Sequence, residues 1–293
     1  MEMQTAGGSN SSKGKNKNVK SGKKRRKEKL ARTADKYDLY QKAVQDPTQE
    51  VELFRRVFKD AYGRHPAVLR EDFCGTFAVC CEWVDKHPEG LAIGVDLDPE
   101  PLAWGKEHNL SKIDSEAQSR VHLFKDDVRL IAEQKADIIA GMNFSYFIFK
   151  TRQELKEYFS SAYQNLNDEG TLILDIFGGH EVLEDEREES EDIDDSAEYI
   201  WEQANFDPIT HDYTFHIHFE FSDGSKMKKA FTYHWRLWSI PEVRELLEEA
   251  GFASSTVYWE GTDQKTGEGT GKFKPQQRGD ADPAWISYIV AKK

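Results

Sequence analysis

The strongest constraint on the fold is a rhythm. From Pro66 onward five short apolar segments recur, AVLRE, LAIGVDL, VHLFKDD, ADIIAGM and TLILDIF, separated by stretches with helical spacing, notably Pro99 to His108 and Gln153 to Leu166. Segments this short and apolar suit strands buried on both faces, and strands alternating with helices predict a parallel sheet covered on both sides. EVRELLEEAGF, opened by Pro241 and stopped by Gly251, then STVYWEG and AWISYIVAKK add one helix and two strands. The expected fold is α/β, a doubly wound, mostly parallel sheet of seven strands. In such a sheet ligands lie beyond the carboxyl ends of the strands, near the point where strand order reverses.

The chain departs from this rhythm in three places. Before it, LARTADKYDLYQKAVQ and TQEVELFRRVFKDAYG carry apolar residues at helical spacing, Leu39 and Ala43 in the first, Val51, Phe54, Val57 and Phe58 in the second. Two helices are expected over residues 31–63, with Pro47 between them and Thr48 placed to cap the second. After Phe177, the run EVLEDEREESEDIDDSAE (181–198) holds eleven acids against Arg187 alone, and like charges at that density predict an exposed loop. Then AEYIWEQANFDP, HDYTFHIHFEFSDG and KKAFTYHWRLWS read as antiparallel strands with turns at Asp207-Pro208 and Asp223-Gly224, a small inserted sheet over 199–238.

Charge is unevenly spread. The net charge of -13 hides eleven Lys or Arg and one acid, Glu28, between Lys13 and Arg32. Residues 1–30 hold almost nothing apolar and are expected to be a disordered basic arm. Such an arm attracts phosphate backbones, so RNA is a candidate partner through residues 13–32; GKKRRKEK would also serve as a nuclear-import signal in a eukaryotic cell, and the bland alternative is a solubilising tail. No apolar run is long enough to span a bilayer and no apolar region follows the basic stretch, so membrane and secretory classes are set aside. The three cysteines, Cys74, Cys80 and Cys81, fit neither a disulfide framework nor a zinc site, and a reducing cytoplasm is the expected setting. His216 and His218 share one strand face, but without a third ligand no metal is assigned.

Four strand ends carry polar groups. Glu71-Asp72-Phe73-Cys74-Gly75-Thr76 follows the first strand; Asp96-Leu97 closes the second, with Asp96 25 positions beyond Glu71; Asp126 and Asp127 end the third; Asn143 ends the fourth. An acid at the end of the second strand is where dinucleotide folds hold ribose hydroxyls, which points to a nucleoside-containing cofactor. The loop narrows the choice. A pyrophosphate needs glycines so that backbone N–H groups can approach, whereas here Glu71 and Asp72 open the loop, Gly75 is its one glycine, and Phe73 and Phe77 stand where glycines would be expected. This disfavours NAD, FAD and ATP; S-adenosylmethionine, a cation without phosphate, is well served by carboxylates.

These motifs resemble those of class I S-adenosylmethionine-dependent methyltransferases, over most of Ala31 to Lys293, a family with a Rossmann-like fold. VLREDFCGT resembles the family's first motif, and GVDLDPEPLAWGKEHN its second, while KDDVRL resembles the third and RLWSIPEVRELLEEAGF a late structural junction. ADKYDLYQKAVQ, REDFCGT and GVDLDPE together resemble a bacterial group of predicted methyltransferases with unassigned substrate. The resemblance implies S-adenosyl-L-methionine as cofactor, bound through Glu71, Cys74, Gly75, Thr76, Asp96, Leu97, Asp126, Asp127, Val128 and Asn143, with Asp96 on the ribose and Asp127 with Val128, or else Asp126, on adenine. It departs at Phe73 and Phe77, so the backbone around the methionine end is expected to follow a different path, and at NFSY, which lacks the two prolines of the amino-methylating nucleic-acid enzymes.

Methyl transfer is an in-line displacement that needs alignment and, for some acceptors, removal of a proton. No nucleophile is obligatory. Positioning candidates are Asn143 and Tyr146, with Asp175 in the fifth strand; Tyr233, His234, Trp235, Arg236 and Trp238 of the insert and Tyr37 and Tyr40 of the first helix are candidates to enclose a small-molecule acceptor, although the tryptophans fit sheet packing as well. Two other functions stay open: an RNA or protein methyltransferase recruited through the basic arm, and a non-catalytic cofactor-binding protein of the same fold.

Overall fold

The computed structural model describes residues 28–262 and 269–293. The expectation for residues 1–27 of the basic arm lies outside the described residues. In chain order the elements are α1 (Leu30–Thr33), α2 (Lys36–Val44), α3 (Pro47–Tyr62), β1 (Val68–Asp72), α4 (Ala78–Lys86), β2 (Leu91–Asp96), α5 (Pro99–His108), α6 (Ser115–Ser119), β3 (Val121–Lys125), β4 (Ala136–Gly141), α7 (Arg152–Asn165) and β5 (Leu166–Gly178). There follow β6 (Arg187–Asp194), β7 (Ala197–Phe206), β8 (Asp212–Phe221), β9 (Lys226–Arg236), α8 (Ile240–Glu249), β10 (Ser254–Thr262), β11 (Gly269–Gln276) and β12 (Trp285–Lys292).

The main sheet runs β11-β10-β12-β5-β4-β1-β2-β3. β1 to β5 are mutually parallel, β12 is antiparallel to β5, and β10 and β11 continue antiparallel. Strand order reverses between β1 and β4, which puts the switch point beside the ends of β1, β2 and β4. Helices cover both faces. On one, Phe54 and Phe58 of α3 and Trp83 and Val84 of α4 bury against Leu69, Ala92, Ile138 and Ile173; on the other, Tyr158 and Phe159 of α7 and Leu246 and Leu247 of α8 bury against Leu172, Leu174 and Ile176. Each such side chain contributes about 1.5–3 kcal/mol of transfer free energy, so it is this two-sided burial that holds the strand ends in register.

Local chemistry fixes the helix starts. Thr151 and Glu154 form a reciprocal capping box at α7, as Ser239 and Glu242 do at α8, each satisfying two donors that the first turn leaves free. At α3 the cap is Asp46, which accepts from the Gln49 amide, with Pro47 inside the helix; Thr48, the expected cap, instead donates its hydroxyl to Glu82 (2.9 Å). The first expected helix is broken in two because Asp35 caps a new start at Lys36.

Two further differences matter. The main sheet has eight strands rather than seven: β11, a polar edge strand, shows no alternation in sequence. The acidic run, expected as a loop, contains β6, the edge of a four-stranded antiparallel sheet in the order β6-β7-β8-β9. Pairing with β7 satisfies its backbone while its carboxylates stay mostly exposed, so repulsion is relieved by solvent without melting the strand.

Candidate active site

Register places the expected residues together. Asp72 pairs with Val95 on one side and Gly141 on the other, and Asp96 pairs with Lys125. The ends of β3, β2, β1 and β4 therefore lie in a row, gathering Asp126 and Asp127, Asp96, Glu71 and Asp72, and Asn143 at one mouth.

The loop after β1 answers the question its sequence poses. Phe73, Gly75 and Phe77 all have left-handed backbones, with φ of 58°, 51° and 46°. The phenylalanines adopt the conformation that glycine adopts freely, at roughly 1–2 kcal/mol each, offset by burial: Phe77 is wholly buried, and Phe73 packs on Phe149 and Tyr158 with centroids 6.1 and 5.5 Å away. The backbone is tethered as Cys74 N donates to Val95 O (3.1 Å) and Gly75 N to Asp96 Oδ2 (2.7 Å). From outside, Gly105 of α5 presses so close that a Cβ there would lie 2.3 Å from Thr76 O. Cys74 and Thr76 are themselves buried.

Asp96 is half-exposed; its Oδ1 accepts from Asp98 N (2.8 Å), while Leu97 is exposed. Glu71 is buried and accepts from Cys80 N (3.1 Å); burial pushes its carboxyl up to about 7, against the pull of that hydrogen bond. Asp127, the first choice for adenine, is held in a two-pronged pair by Arg129 (2.9 and 2.7 Å), which keeps its carboxyl below the usual range, whereas Asp126 is exposed and accepts only a local bond from Asp127 N among the described residues. Val128 is buried, and its carbonyl is gripped by Arg70.

The turn after β4 is clamped from β5. Asp175 accepts from Asn143 N (2.7 Å) and Phe144 N (2.8 Å), two residues with φ of 56°. Asp175 is buried, and burial raises its carboxyl to about 7 despite those bonds.

Beyond this turn lies a pocket of ≈ 510 Å³ between α2, the turn, the end of β5, the inserted sheet and the start of β12. Asn143, Tyr40, Tyr233 and Trp235 line it, joined by Tyr199 and Trp201. Of the expected cofactor residues only Asn143 reaches it; the others belong to the adjoining mouth, over which α2 lies. There Tyr37 sits between Trp104 of α5 and Phe231 of β9 (centroids 5.7 and 5.8 Å), and Trp104 Nε1 donates to Asp35 (2.6 Å).

Four expected residues sit elsewhere. Tyr146 is fully buried among Phe147 and Phe159, away from the pocket lining. Arg236 donates to Lys150 O (3.1 Å) and Glu242 (3.3 Å) and lies over Trp238, so it ties β9 to α8. Trp238 Nε1 donates to Phe149 O (3.1 Å), within the core; His234 faces Thr214. His216 and His218 are taken up by Thr232 and Glu202, and the described residues hold no group of three metal-ligating side chains.

Two residues escaped the sequence reading. Arg70, buried within β1, pairs with Asp72 (2.7 Å) and donates to Val128 O (2.6 Å) and Leu130 O (3.1 Å), fixing the segment that carries Asp126 and Asp127. Glu50 of α3 is partly exposed, but its Oε2 is buried and without a partner among the described residues; burial, then the charges of Glu71 and Asp175, push its carboxyl well up. The signals were readable: Glu50 stands four and seven residues before Phe54 and Val57, on the apolar stripe of α3, and Arg70 puts a cation inside a strand expected to be buried on both faces. Buried carboxylates without a counter-charge fit a cation and oppose a phosphate.

A doubly wound sheet with acids at the ends of β1, β2 and β3, an antiparallel β12 and an inserted sheet beside the switch point is the fold of class I S-adenosylmethionine-dependent methyltransferases, and this chain has it. No protein-family model matches the chain. In sequence it is 25% identical over 196 residues, 65% of this chain and 75% of the relative, to the putative methyltransferase YqeM of Bacillus subtilis (strain 168). In structure it is similar to an S-adenosylmethionine-dependent methyltransferase of Clostridium acetobutylicum (TM-score 0.61, 17% identity, 87% of this chain and 96% of that one). It is also similar to CalS10, an amino pentose methyltransferase of Micromonospora echinaspora with S-adenosylmethionine bound (TM-score 0.63, 16% identity, 88% and 97%). The sugar N-methyltransferase KedS8 of Streptoalloteichus matches with TM-score 0.59 and 17% identity over 99% of both chains. Among the described residues no helix is long and apolar enough to cross a membrane.

Proposed function

We propose that the chain is an S-adenosylmethionine-dependent methyltransferase whose acceptor is a small molecule held in the pocket beyond β4. One observation carries this: four adjacent strand ends converge on a loop whose acids suit a sulfonium and whose backbone does not suit a pyrophosphate, and that mouth meets an aromatic pocket at Asn143. Pocket volumes of this size match a small ligand, and the fold neighbours that act on sugars support the same choice.

The bound cofactor supplies an electrophilic methyl group. Around it, Glu71 with the backbone of Cys74, Gly75 and Thr76 takes the methionine end, and Glu50 adds its buried carboxylate to the same side. Asp96, beside Leu97, would hold the ribose hydroxyls by giving up its bond to Gly75 N. Asp126 takes the adenine edge in place of the Arg129-bound Asp127, on a segment that Arg70 and Val128 hold still. Asn143, where the mouth meets the pocket, would face both cofactor and acceptor. Tyr40, Tyr233 and Trp235 wall the acceptor side, while Tyr37 secures α2 over the mouth and Arg236 acts only through the fold.

Calorimetry with S-adenosylmethionine tests this. Micromolar binding is expected, weakened about 10- to 100-fold by Asp96→Ala through loss of charge-assisted hydrogen bonds. No heat at millimolar cofactor, or an unchanged affinity in the variant, would overturn the assignment.

A further inference from the structure

The walls and the charge of the acceptor pocket agree with each other in a way that selects among small molecules. Trp201, Tyr233 and Trp235 form a layered wall, Tyr233 stacking on Trp235 at 4.5 Å and Trp201 lying 6.2 and 6.1 Å from the two at interplanar angles below 40°. Tyr40 and Tyr199 add two more rings. In a chain rich in cations, Lys and Arg lie over the rings of Tyr37, Phe58, Phe149, Trp238 and others, yet among the described residues none lies over a ring of this wall.

Charge completes the picture. The lining holds three carboxylates, Glu181, Glu189 and Glu260, and one guanidinium, Arg187. Arg187 is consumed locally: Nη2 lies 2.6 Å from Glu181 and 2.6 Å from Glu189. The balance is two negative charges, Glu260 otherwise accepting a backbone bond from Gly271 N (2.6 Å), beside the half-buried rings of Tyr40, Tyr199, Trp201 and Tyr233, and charge and rings both attract a cation whose hydration has been stripped. An alcohol or phenol would leave that charge unanswered, and an anion would be repelled.

We propose that the acceptor is an amine, bound as its ammonium between the Trp201–Tyr233–Trp235 wall and the carboxylate of Glu260, so that the chain is an N-methyltransferase; this rests on the methyltransferase reading above. The ammonium gives one proton to water, and its freed lone pair takes the methyl group. The C–S bonding pair stays on sulfur, leaving a neutral thioether. The product is again an ammonium, so the pocket recognises both sides of the reaction.

Choline and its carbon isostere 3,3-dimethylbutan-1-ol differ only in the charge of the head group, and neither presents an amine that can be methylated. Titrating each against the fluorescence of the full chain, where Trp201, Trp235 and Trp285 line the pocket, isolates recognition from catalysis. Choline is expected to bind at least about ten-fold more tightly than the isostere. Glu260→Gln should cut that preference to about three-fold or less without weakening the isostere, and Trp201→Leu should abolish it. If Trp201→Leu fails to fold by circular dichroism, Glu260→Gln decides alone. Equal binding of the pair, or a preference unaltered by Glu260→Gln, overturns the proposal. Cofactor calorimetry separates the layers: cofactor binding without choline preference sinks the amine assignment alone, whereas choline preference without cofactor binding upholds cation recognition and sinks the methyltransferase reading.

Discussion

After β1 the chain turns through Phe73, Gly75 and Phe77 in left-handed conformations, and after β4 it does so through Asn143 and Phe144. Both turns are held by a carboxylate reaching from a neighbouring strand end, Asp96 to the amide of Gly75 and Asp175 to the amides of Asn143 and Phe144. They differ in access to water. Asp96 is half-exposed and can exchange its backbone partner for a ligand; Asp175 is buried, and releasing either amide would orphan it. On the proposed reading the same clamp exchanges its partner for a ligand on one side of the switch point and is a fixed scaffold on the other.

Mutating each clamp tests the contrast. Asp175→Ala should have the largest effect: two half-buried N–H groups lose their acceptor, costing about 2–5 kcal/mol and lowering the melting temperature by roughly 3–8 °C. A melt within a degree or two of wild type would break the comparison. Next comes Phe77→Gly, which relieves roughly 1–2 kcal/mol of backbone strain but removes a fully buried ring worth about 3–5 kcal/mol. Denaturant titration should show net destabilisation, while Phe73→Gly, at a half-buried ring, should lie closer to neutral. Asp96→Ala should shift stability by less than about 1 kcal/mol, because water can reach the half-exposed Gly75 amide, so its loss should appear chiefly in cofactor affinity.

The remaining test is pH dependence. Glu71 and Asp175 are raised from ordinary values of 4.5 and 3.8 to about 7. Across that window the folded state therefore binds more protons than the unfolded chain. Their contribution to stability is fully present below it and is lost as pH rises toward 7. Denaturant midpoints measured from pH 5 to 8 should fall less steeply in Glu71→Gln than in wild type; an unchanged slope would show that Glu71 is ionised throughout.

Much of this was legible in the chain. Four of the parallel strands were readable because their buried stretches leave an apolar run, and the acids at their ends stand out against it; β3, expected to be buried on both faces, is instead a largely exposed sheet edge, readable only from its place in the rhythm. Where a residue serves two masters the sequence misleads. Tyr146 and Arg236 carry functional-looking side chains, but the first is absorbed by aromatic packing and the second by the β9–α8 joint. Asp127 and Asp126 are indistinguishable until Arg129, two positions on, takes one of them. Glu50 needed the opposite attention, to a charge where the α3 stripe should be apolar. β6 and β11 were hidden because edge strands need only backbone pairing, and periodicity reports side-chain burial.

β6 has a consequence of its own. An open sheet edge is a template on which a second chain can add a strand, and the usual guard is charge. In β6 five of eight residues are acidic, so an approaching copy would set carboxylate against carboxylate along the whole edge. The guard depends on the medium: concentrated salt screens it and acid neutralises it. Crowded, saline or acidified solutions are therefore where this chain should begin to associate through its inserted sheet, long before the main sheet gives way.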